Sequence, residues 1–406
     1  MKKKILFITD NFPPEVNAPA TRTYEHCLTW TIKGYDITVI TCFPNFPKGE
    51  IFNGYKNKFL QIENYNGIKV VRVWSFISSN EGFFKRTLDY ISFGIMSFLV
   101  GLFFKTDLIV ATSPQFFSAI SGSMLSFFKR KKWIMEVRDL WPNSISAVGA
   151  INENSILFSF LKSIENTLYH SASKIIVVTD SFNEYLIKFH KVEKNKIGIF
   201  KNGYLNHSLK PNENTISVIK ENLNCKNKII ISYIGTLGLA HGLRFILESI
   251  NDLKINSNYH FLFIGEGAQK KELIEYSIKR SLKNVSFINS MSKNEIINYI
   301  HLSDISLVNL IKSDEFKNVI PSKIFENIAA YKPILLGVEG EAKILIENYK
   351  VGVPFEPENK NSFFNAIEKA YQLSKKDSNF RINCDKLIYD FNREVIAEKM
   401  LNFITN

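Results

Sequence analysis

Short runs of consecutive apolar residues recur along this chain, and most are separated by stretches of helical length. In the first half they are "KILFIT" (4–9), "DITVIT" (36–41), "IKVVRVW" (68–74), "DLIVAT" (107–112), "KWIMEV" (132–137) and "KIIVVT" (174–179). In the second half they are "KIIISYIG" (228–235), "HFLFIG" (260–265), "VSFIN" (285–289), "ISLVNL" (305–310) and "PILLGV" (333–338). The runs are continuous and rich in Ile and Val, as strands buried on both faces of a parallel sheet are. The pattern predicts an α/β protein of two doubly wound, Rossmann-like domains facing each other across a cleft. The polar, turn-rich stretch "KNGYLNHSLKPNENT" (201–215) marks the boundary. The expected division is an N-terminal domain over 1–205, a C-terminal domain over 206–385, and a terminal helix over 386–406 that packs back on the first domain. In such folds ligands bind outside the carboxyl ends of the strands.

One segment departs from the alternation. "YISFGIMSFLVGLFF" (90–104) has fifteen residues without a charge, bracketed by Lys85, Arg86 and Lys105. As a helix it would be about 22 Å long, short of the roughly 20 residues that span a bilayer. It reads either as a buried helix of the first domain or as one that also dips into a membrane interface. "FFKRKKW" (127–133) places Lys129, Arg130, Lys131 and Lys132 beside aromatic residues in the same domain.

Charge sharpens that picture. The 406 residues carry a formal charge of +12, and the asymmetry matters more than the sum. Residues 1–205 hold 25 lysines and arginines against 16 acids, whereas residues 206–406 hold 26 against 23. A cationic half suits nucleic acid, an anionic membrane surface or a phosphorylated substrate; a merely solvated basic surface is the plain alternative. No recognition-helix or zinc-finger pattern supports nucleic acid. The four cysteines are scattered, with no C-x-x-C pair, and read as reduced core thiols. The basic start "MKKK" precedes an apolar run too short for a signal peptide, so the expected location is cytoplasmic. Together the apolar segment and the charge pattern favour peripheral attachment to an anionic membrane surface over nucleic acid, with Lys85, Arg86, Lys129, Arg130, Lys131 and Lys132 as the contact residues.

The first loop, "NFPPEVNAPATR" (11–22), follows a strand where a glycine-rich phosphate loop is common, yet it has no glycine. Its prolines stiffen it, and its small residues leave room for a ligand. Glu15 and Asn17 are candidates to bind hydroxyls, and Arg22 to pair with a phosphate; a rigid turn with a solvated arginine is the alternative. At "EVRDLWP" (136–142) Arg138 and Asp139 emerge from a strand end. Asp139 is the candidate to orient or deprotonate an acceptor hydroxyl, against a reading in which the two simply brace the loop. "ATSPQFF" (111–117) closes the neighbouring strand.

Nucleotide chemistry points to the second half. "YIGTLGLAHGL" (233–243) and "FIGEGAQKKEL" (263–273) place Gly235, Gly238, Gly265 and Gly267 in turns after strands. Without a Cβ, such turns let backbone N–H groups approach an anion. In "NVIPSKIFENIAAYKPI" (318–334), Pro321 suits a helix start, followed by Ser322 and Lys323. That end can hold a diphosphate with Lys323 as a point charge. Glu326, three residues on, can accept ribose hydroxyls; a solvated i,i+3 ion pair is the alternative.

Taken together, "PSKIFE…AA…KPI", "YIGTLGLAHGL" and "GEGAQKKEL" resemble the donor half of GT-B glycosyltransferases of family 4. "TDNFPPEVNAPATRTYEH", "ITCFPNFPKGEIFNGYKNK", "ATSPQFF" and "MEVRDLWPNSI" are similar to bacterial O-antigen and capsule transferases of the L-fucosamine (N-acetylfucosaminyl) type, and the similarity spans nearly the whole chain. The resemblance implies a UDP-sugar donor on the second domain and a lipid-diphosphate-linked saccharide acceptor on the first, at the inner face of the cell membrane. It also implies retaining, metal-independent transfer with no cofactor. No D-x-D occurs, so the diphosphate charge falls to lysine, arginine and backbone amides. The chain departs from the family at Asn318, where a glutamate is usual, and at Thr236 and His241, where an arginine and a lysine are usual. Tyr331 replaces a glycine. Lys323 is therefore expected to take over much of the leaving-group stabilisation, with His241 as a helper. Two other readings stand beside this one: a UDP-sugar epimerase of the same fold, and a non-catalytic protein that binds membrane or polyanion.

Overall fold

Each of these apolar runs becomes a strand, and three further strands join them. The computed structural model describes residues 2–77, 83–113, 116–147, 149–205, 210–252 and 258–406. Two compact units emerge: Met1–Asn202 with Arg393–Asn406, and Gly203–Asn392.

The first unit is built on β1 (Lys4–Ile8), β2 (Asp36–Cys42), β3 (Leu60–Tyr65), β4 (Ile68–Val73), β5 (Leu108–Thr112), β6 (Lys132–Val137), β7 (Lys174–Val177) and β8 (Ile197–Ile199). They form one sheet in the order β3-β4-β2-β1-β5-β6-β7-β8, parallel except for the β3–β4 hairpin. Strand order reverses between β1 and β5, so the loop after β1 leaves the sheet at its topological switch point. The central strands are buried nearly throughout, which is why their sequences are continuous apolar runs.

The second unit holds β9 (Ile229–Ile234), β10 (Tyr259–Ile264), β11 (Val285–Ile288), β12 (Ile305–Asn309), β13 (Ile334–Gly337) and β14 (Gly352–Pro354). Their all-parallel order is β11-β10-β9-β12-β13-β14. Counted within the unit this is 3-2-1-4-5-6, the Rossmann order, with its switch point between β9 and β12.

Residues 386–392 stay with the second unit, and the chain returns to the first at Arg393. Helix Arg393–Thr405 lies against helix Ala18–Ile32, where the Trp30 indole donates to the Ala397 carbonyl at 2.9 Å. Ala397, Met400, Leu401 and Ile404 complete a core with Cys27, Trp30 and the sheet.

Helix Phe83–Gly101 contains most of the long uncharged segment. One side buries Phe93, Met96, Ser97 and Val100, and the Ser97 hydroxyl bonds that of Ser121 on helix Phe116–Lys129. The other side leaves Ile95 and Leu99 exposed, with Phe103 just beyond the helix at 86% exposure. The helix is thus buried along one stripe only. Among the described residues no helix is long and apolar enough to cross a membrane.

The two glycine turns of the second unit lock together. A Cβ on Gly265, whose φ is +149°, would stand 1.9 Å from the Gly235 carbonyl oxygen. Gly238 has open space at the same distance. Gly265→Ala is expected to destabilise this unit by about 2 kcal/mol or more, from strain plus overlap, while Gly238→Ala stays within about 1 kcal/mol of the native chain; urea unfolding of the two variants checks this.

Candidate active site

In the second unit the switch point gathers the chemistry. The turn after β9 is tied to the turn after β10 by Gly235 N–H to Ile264 O at 2.9 Å and Leu237 N–H to Glu266 O at 2.8 Å. The absent side chains of Gly265 and Gly267 make room for the carbonyls of Gly235 and Leu237. These two glycines, expected to admit an anion, instead serve turn-on-turn packing. The alternate amides, those of Thr236 and Gly238, make no hydrogen bond among the described residues.

Gly235 is different. A Cβ there would lie 2.9 Å from the Lys323 ammonium, so its absence admits the lysine. Helix Lys323–Ala329 starts two residues after Pro321 and sends the Lys323 side chain inward. Its Nζ sits 3.8 Å from the centre of the Tyr233 ring, sealed from solvent and without a hydrogen-bond partner. Burial pulls its pKa down to about 7, with Glu326 opposing weakly. Glu326 points to solvent, and the two form no ion pair, so the solvated i,i+3 pair is not what the fold builds. Ser322 precedes the helix half-buried, its hydroxyl making no capping bond. Thr236 is exposed, and its carbonyl accepts the Tyr233 hydroxyl at 2.7 Å.

His241 is a correction. Burial first and Lys323 second depress its pKa to about 3, so it is a neutral ring and not a helper cation. Its Nδ1 is buried without a partner, 5.7 Å separates its ring from that of Tyr233, and its carbonyl accepts the Asn309 amide at 2.8 Å. The Asn309 Oδ1, at the carboxyl end of β12, is also buried and unpaired. Buried polar atoms are normally satisfied. Three unsatisfied ones at this switch point make it the candidate place for a polar ligand. Sequence reasoning missed Tyr233 and Asn309; the asparagine ending an apolar run, "ISLVNL", was the available signal.

The first unit overturns several expectations. Arg22 is 2% exposed and spent internally: its Nε meets Glu136 at 2.9 Å and its other nitrogens meet Phe200 O, Lys201 O and the Asn202 side chain. It braces the sheet and does not reach a phosphate. Glu15 is also buried, and one of its oxygens accepts the amides of Asn45 and Phe46. Burial raises its pKa to about 7. Asn17 caps helix Ala18–Ile32 by accepting from Ala20 N–H. The glycine-free loop is thus held by its own polar residues.

Arg138 and Asp139 do stand at the end of β6. Arg138 Nε donates to Ser113 O at 2.9 Å, across to the end of β5, while its Nη2 is buried without a partner. Asp139 accepts from the Leu140 amide at 3.0 Å. Pro114 and Gln115 of "ATSPQFF" lie outside the described residues. An unforeseen carboxyl, Asp89, lies near Asp10; burial and that neighbour raise its pKa to about 7.

Of the expected membrane contacts, Lys85, Arg86, Arg130, Lys131 and Lys132 are exposed, with Lys131 3.6 Å from Asp107. Lys129 is not free: its Nζ caps the carbonyls of Leu102 and Phe104 at 2.8 and 3.0 Å. Phe103, Phe127 and Phe128 are exposed near Arg130 to Lys132, at the end of helix Phe83–Gly101 opposite Lys85 and Arg86.

Two consequences are measurable. Arg22→Met leaves Glu136 buried and uncompensated, which is expected to cost about 3–5 kcal/mol in chemical denaturation; a surface phosphate contact would leave stability unchanged. Because the folded pKa of Glu15 lies above its unfolded value, stability falls as pH rises from 4.5 to 7. The shift corresponds to about 3 kcal/mol, and Glu15→Gln is expected to flatten that slope in pH-dependent unfolding.

Comparison with known proteins adds to this geometry. Residues 215–386 match the family described as Glycosyl transferases group 1. The chain is 21% identical over 410 residues to the putative colanic acid biosynthesis glycosyl transferase WcaI of Escherichia coli K12, covering 99% of each. Among solved structures, sucrose-phosphate synthase from Thermosynechococcus elongatus superposes with a TM-score of 0.76 at 15% identity, covering 99% of this chain and 98% of that one. Anabaena Alr3699/HepE, in complex with UDP and glucose, superposes with a TM-score of 0.69 at 14% identity, covering 99% of each. The architecture is thus that of GT-B glycosyltransferases, and the second unit carries the match to glycosyl transferases group 1.

Proposed function

We propose that this chain is a glycosyltransferase of cell-surface polysaccharide synthesis that moves a sugar from a UDP-sugar to a lipid-diphosphate-linked saccharide. The observation that carries this reading is the Lys323 Nζ, buried and without a hydrogen-bond partner beside the Gly235 turn at the switch point. Departing UDP leaves with developing negative charge, and a preorganised cation in a dry site stabilises it far better than one in water. The unbonded amides of Thr236 and Gly238 and the neutral ring of His241 supply further polar groups. Glu326, exposed on the same helix, is assigned to the ribose hydroxyls. The E. coli relative's name and the UDP held by the Anabaena structure support the same reading.

In the finer form of this reading the donor sugar is N-acetyl-L-fucosamine, the acceptor sugar is GlcNAc, and the product enters O-antigen or capsule. Transfer is retaining, and charge neutralisation is assigned to Lys323 and backbone amides without a metal. Asp139 orients the acceptor hydroxyl, with Arg138 beside it. The exposed Phe103, Phe127 and Phe128, flanked by Arg130 to Lys132, rest on the inner membrane surface, with Lys85 and Arg86 assigned to the same surface at the other end of helix Phe83–Gly101; each cation contributes about 1 kcal/mol.

A panel of UDP-sugars offered with a lipid-diphosphate GlcNAc acceptor, read by mass spectrometry, tests the reaction; no transfer from any UDP-sugar sinks it. Lys323→Ala is expected to lower kcat by about 10²–10³-fold, and unchanged turnover would remove the site assignment. For the membrane reading, Phe103→Ser combined with Phe127→Ser is expected to release the protein from anionic vesicles in co-sedimentation.

A further inference from the structure

We infer that Tyr233 is a positioning residue that parks the Lys323 amine over its ring, and that a diphosphate arriving at the Gly235 turn loads that amine with a proton. This rests on the proposed UDP-sugar reading and adds a step to it.

The geometry is unusual for a lysine. The Nζ has neither carboxylate nor carbonyl as partner; what it has is an aromatic face at 3.8 Å. The Tyr233 ring cannot swing aside, because it is 1% exposed and its hydroxyl is held by the Thr236 carbonyl at 2.7 Å. The same bond fixes the turn whose Thr236 and Gly238 amides are unbonded. One side chain therefore sets both the amine and the turn amides in a single geometry.

The groups acting on the amine come from each element beside it. Tyr233, on β9, stays a neutral phenol because burial pushes its pKa well above 10. His241, in the turn that follows, is neutral, with a pKa of about 3. Glu326, on the lysine's own helix, points to solvent and acts weakly. Burial favours the uncharged form and is the largest influence on the amine, while the Tyr233 face favours the ammonium and keeps it seated once charged. With a pKa of about 7, roughly nine-tenths of it is unprotonated at pH 8. A diphosphate within reach reverses the balance, since an adjacent opposite charge favours the ammonium. The amine gains one N–H bond, and the proton comes from buffer. The empty site thus avoids holding a full charge in a dry enclosure, and the charge appears when the donor does.

Isothermal titration of UDP into the full chain at pH 8, repeated in Tris and in Hepes, reads the proton directly from the difference in heats. The native protein is expected to take up about 0.9 proton per UDP. Lys323→Met abolishes the uptake while His241 and UDP itself remain to titrate. Tyr233→Phe keeps the ring and the uptake. Tyr233→Leu removes the seat of the amine and is expected to weaken UDP binding about tenfold or more, while the uptake per UDP bound is kept. Binding of UDP without proton uptake, or equal uptake by Lys323→Met, overturns the inference and leaves the UDP reading standing. UDP affinity unchanged in Tyr233→Leu overturns the role of the ring. A chain that binds no UDP overturns both.

Discussion

An amine packed on an aromatic ring, with no hydrogen-bond partner, is the interaction on which the chemistry proposed for the second unit depends. Much of the local architecture serves it. Gly235 has no side chain because the lysine occupies that space. The β9 and β10 turns are clamped to each other, so the Gly235 turn cannot drift from the amine. The 3-2-1-4-5-6 order places β9 beside β12, which brings Asn309 under the His241 carbonyl. Unsatisfied polar atoms are costly in a dry interior. Among the described residues of this unit, three of the six such side-chain atoms, on His241, Asn309 and Lys323, lie at the point where the fold class places ligands.

The first unit uses its buried charges in the opposite way. Arg22 meets Glu136, Arg393 meets Glu25, and Arg72 meets Glu63 and two backbone carbonyls. The second of these pairs joins the terminal helix to the first helix, so the returning chain is held by charge as well as by Trp30 and its neighbours. The prolines and Glu15 hold the first loop in a fixed shape. Other cations stay exposed, among them Arg130, Lys131 and Lys132 near the exposed Phe103, Phe127 and Phe128. This unit separates a rigid, internally neutralised frame from a cationic and apolar rim.

The strands that escaped sequence reading share a cause. β3 is an edge strand in a hairpin, and its residues Leu60–Tyr65 are half exposed, so no apolar run marks it. β8 and β14 are three residues each, "IGI" and "GVP", and lie at sheet edges. An edge strand buries one face or less, and its sequence carries a correspondingly weak signal. The central strands could not be missed, because burial on both faces demands apolar residues at every position. The glycine turns were legible as turns. That Gly265 and Gly267 face another backbone, and not a ligand, was not, because the carbonyls they accommodate come from a different turn.

Arg22 and Lys323 show where the limit lies. Each is a basic residue close behind a proline at the start of a helix, in a loop that leaves a strand end, and from sequence both are equally good candidates for a phosphate. Local sequence determined the strands, the turns and the helix starts, since hydrophobic continuity and proline or glycine geometry act over a few residues. Which cation was left without a carboxylate was decided only in three dimensions. Glu136 reaches Arg22 from 114 residues away. Lys323 finds only the face of Tyr233, which β9 carries from 90 residues upstream in the chain.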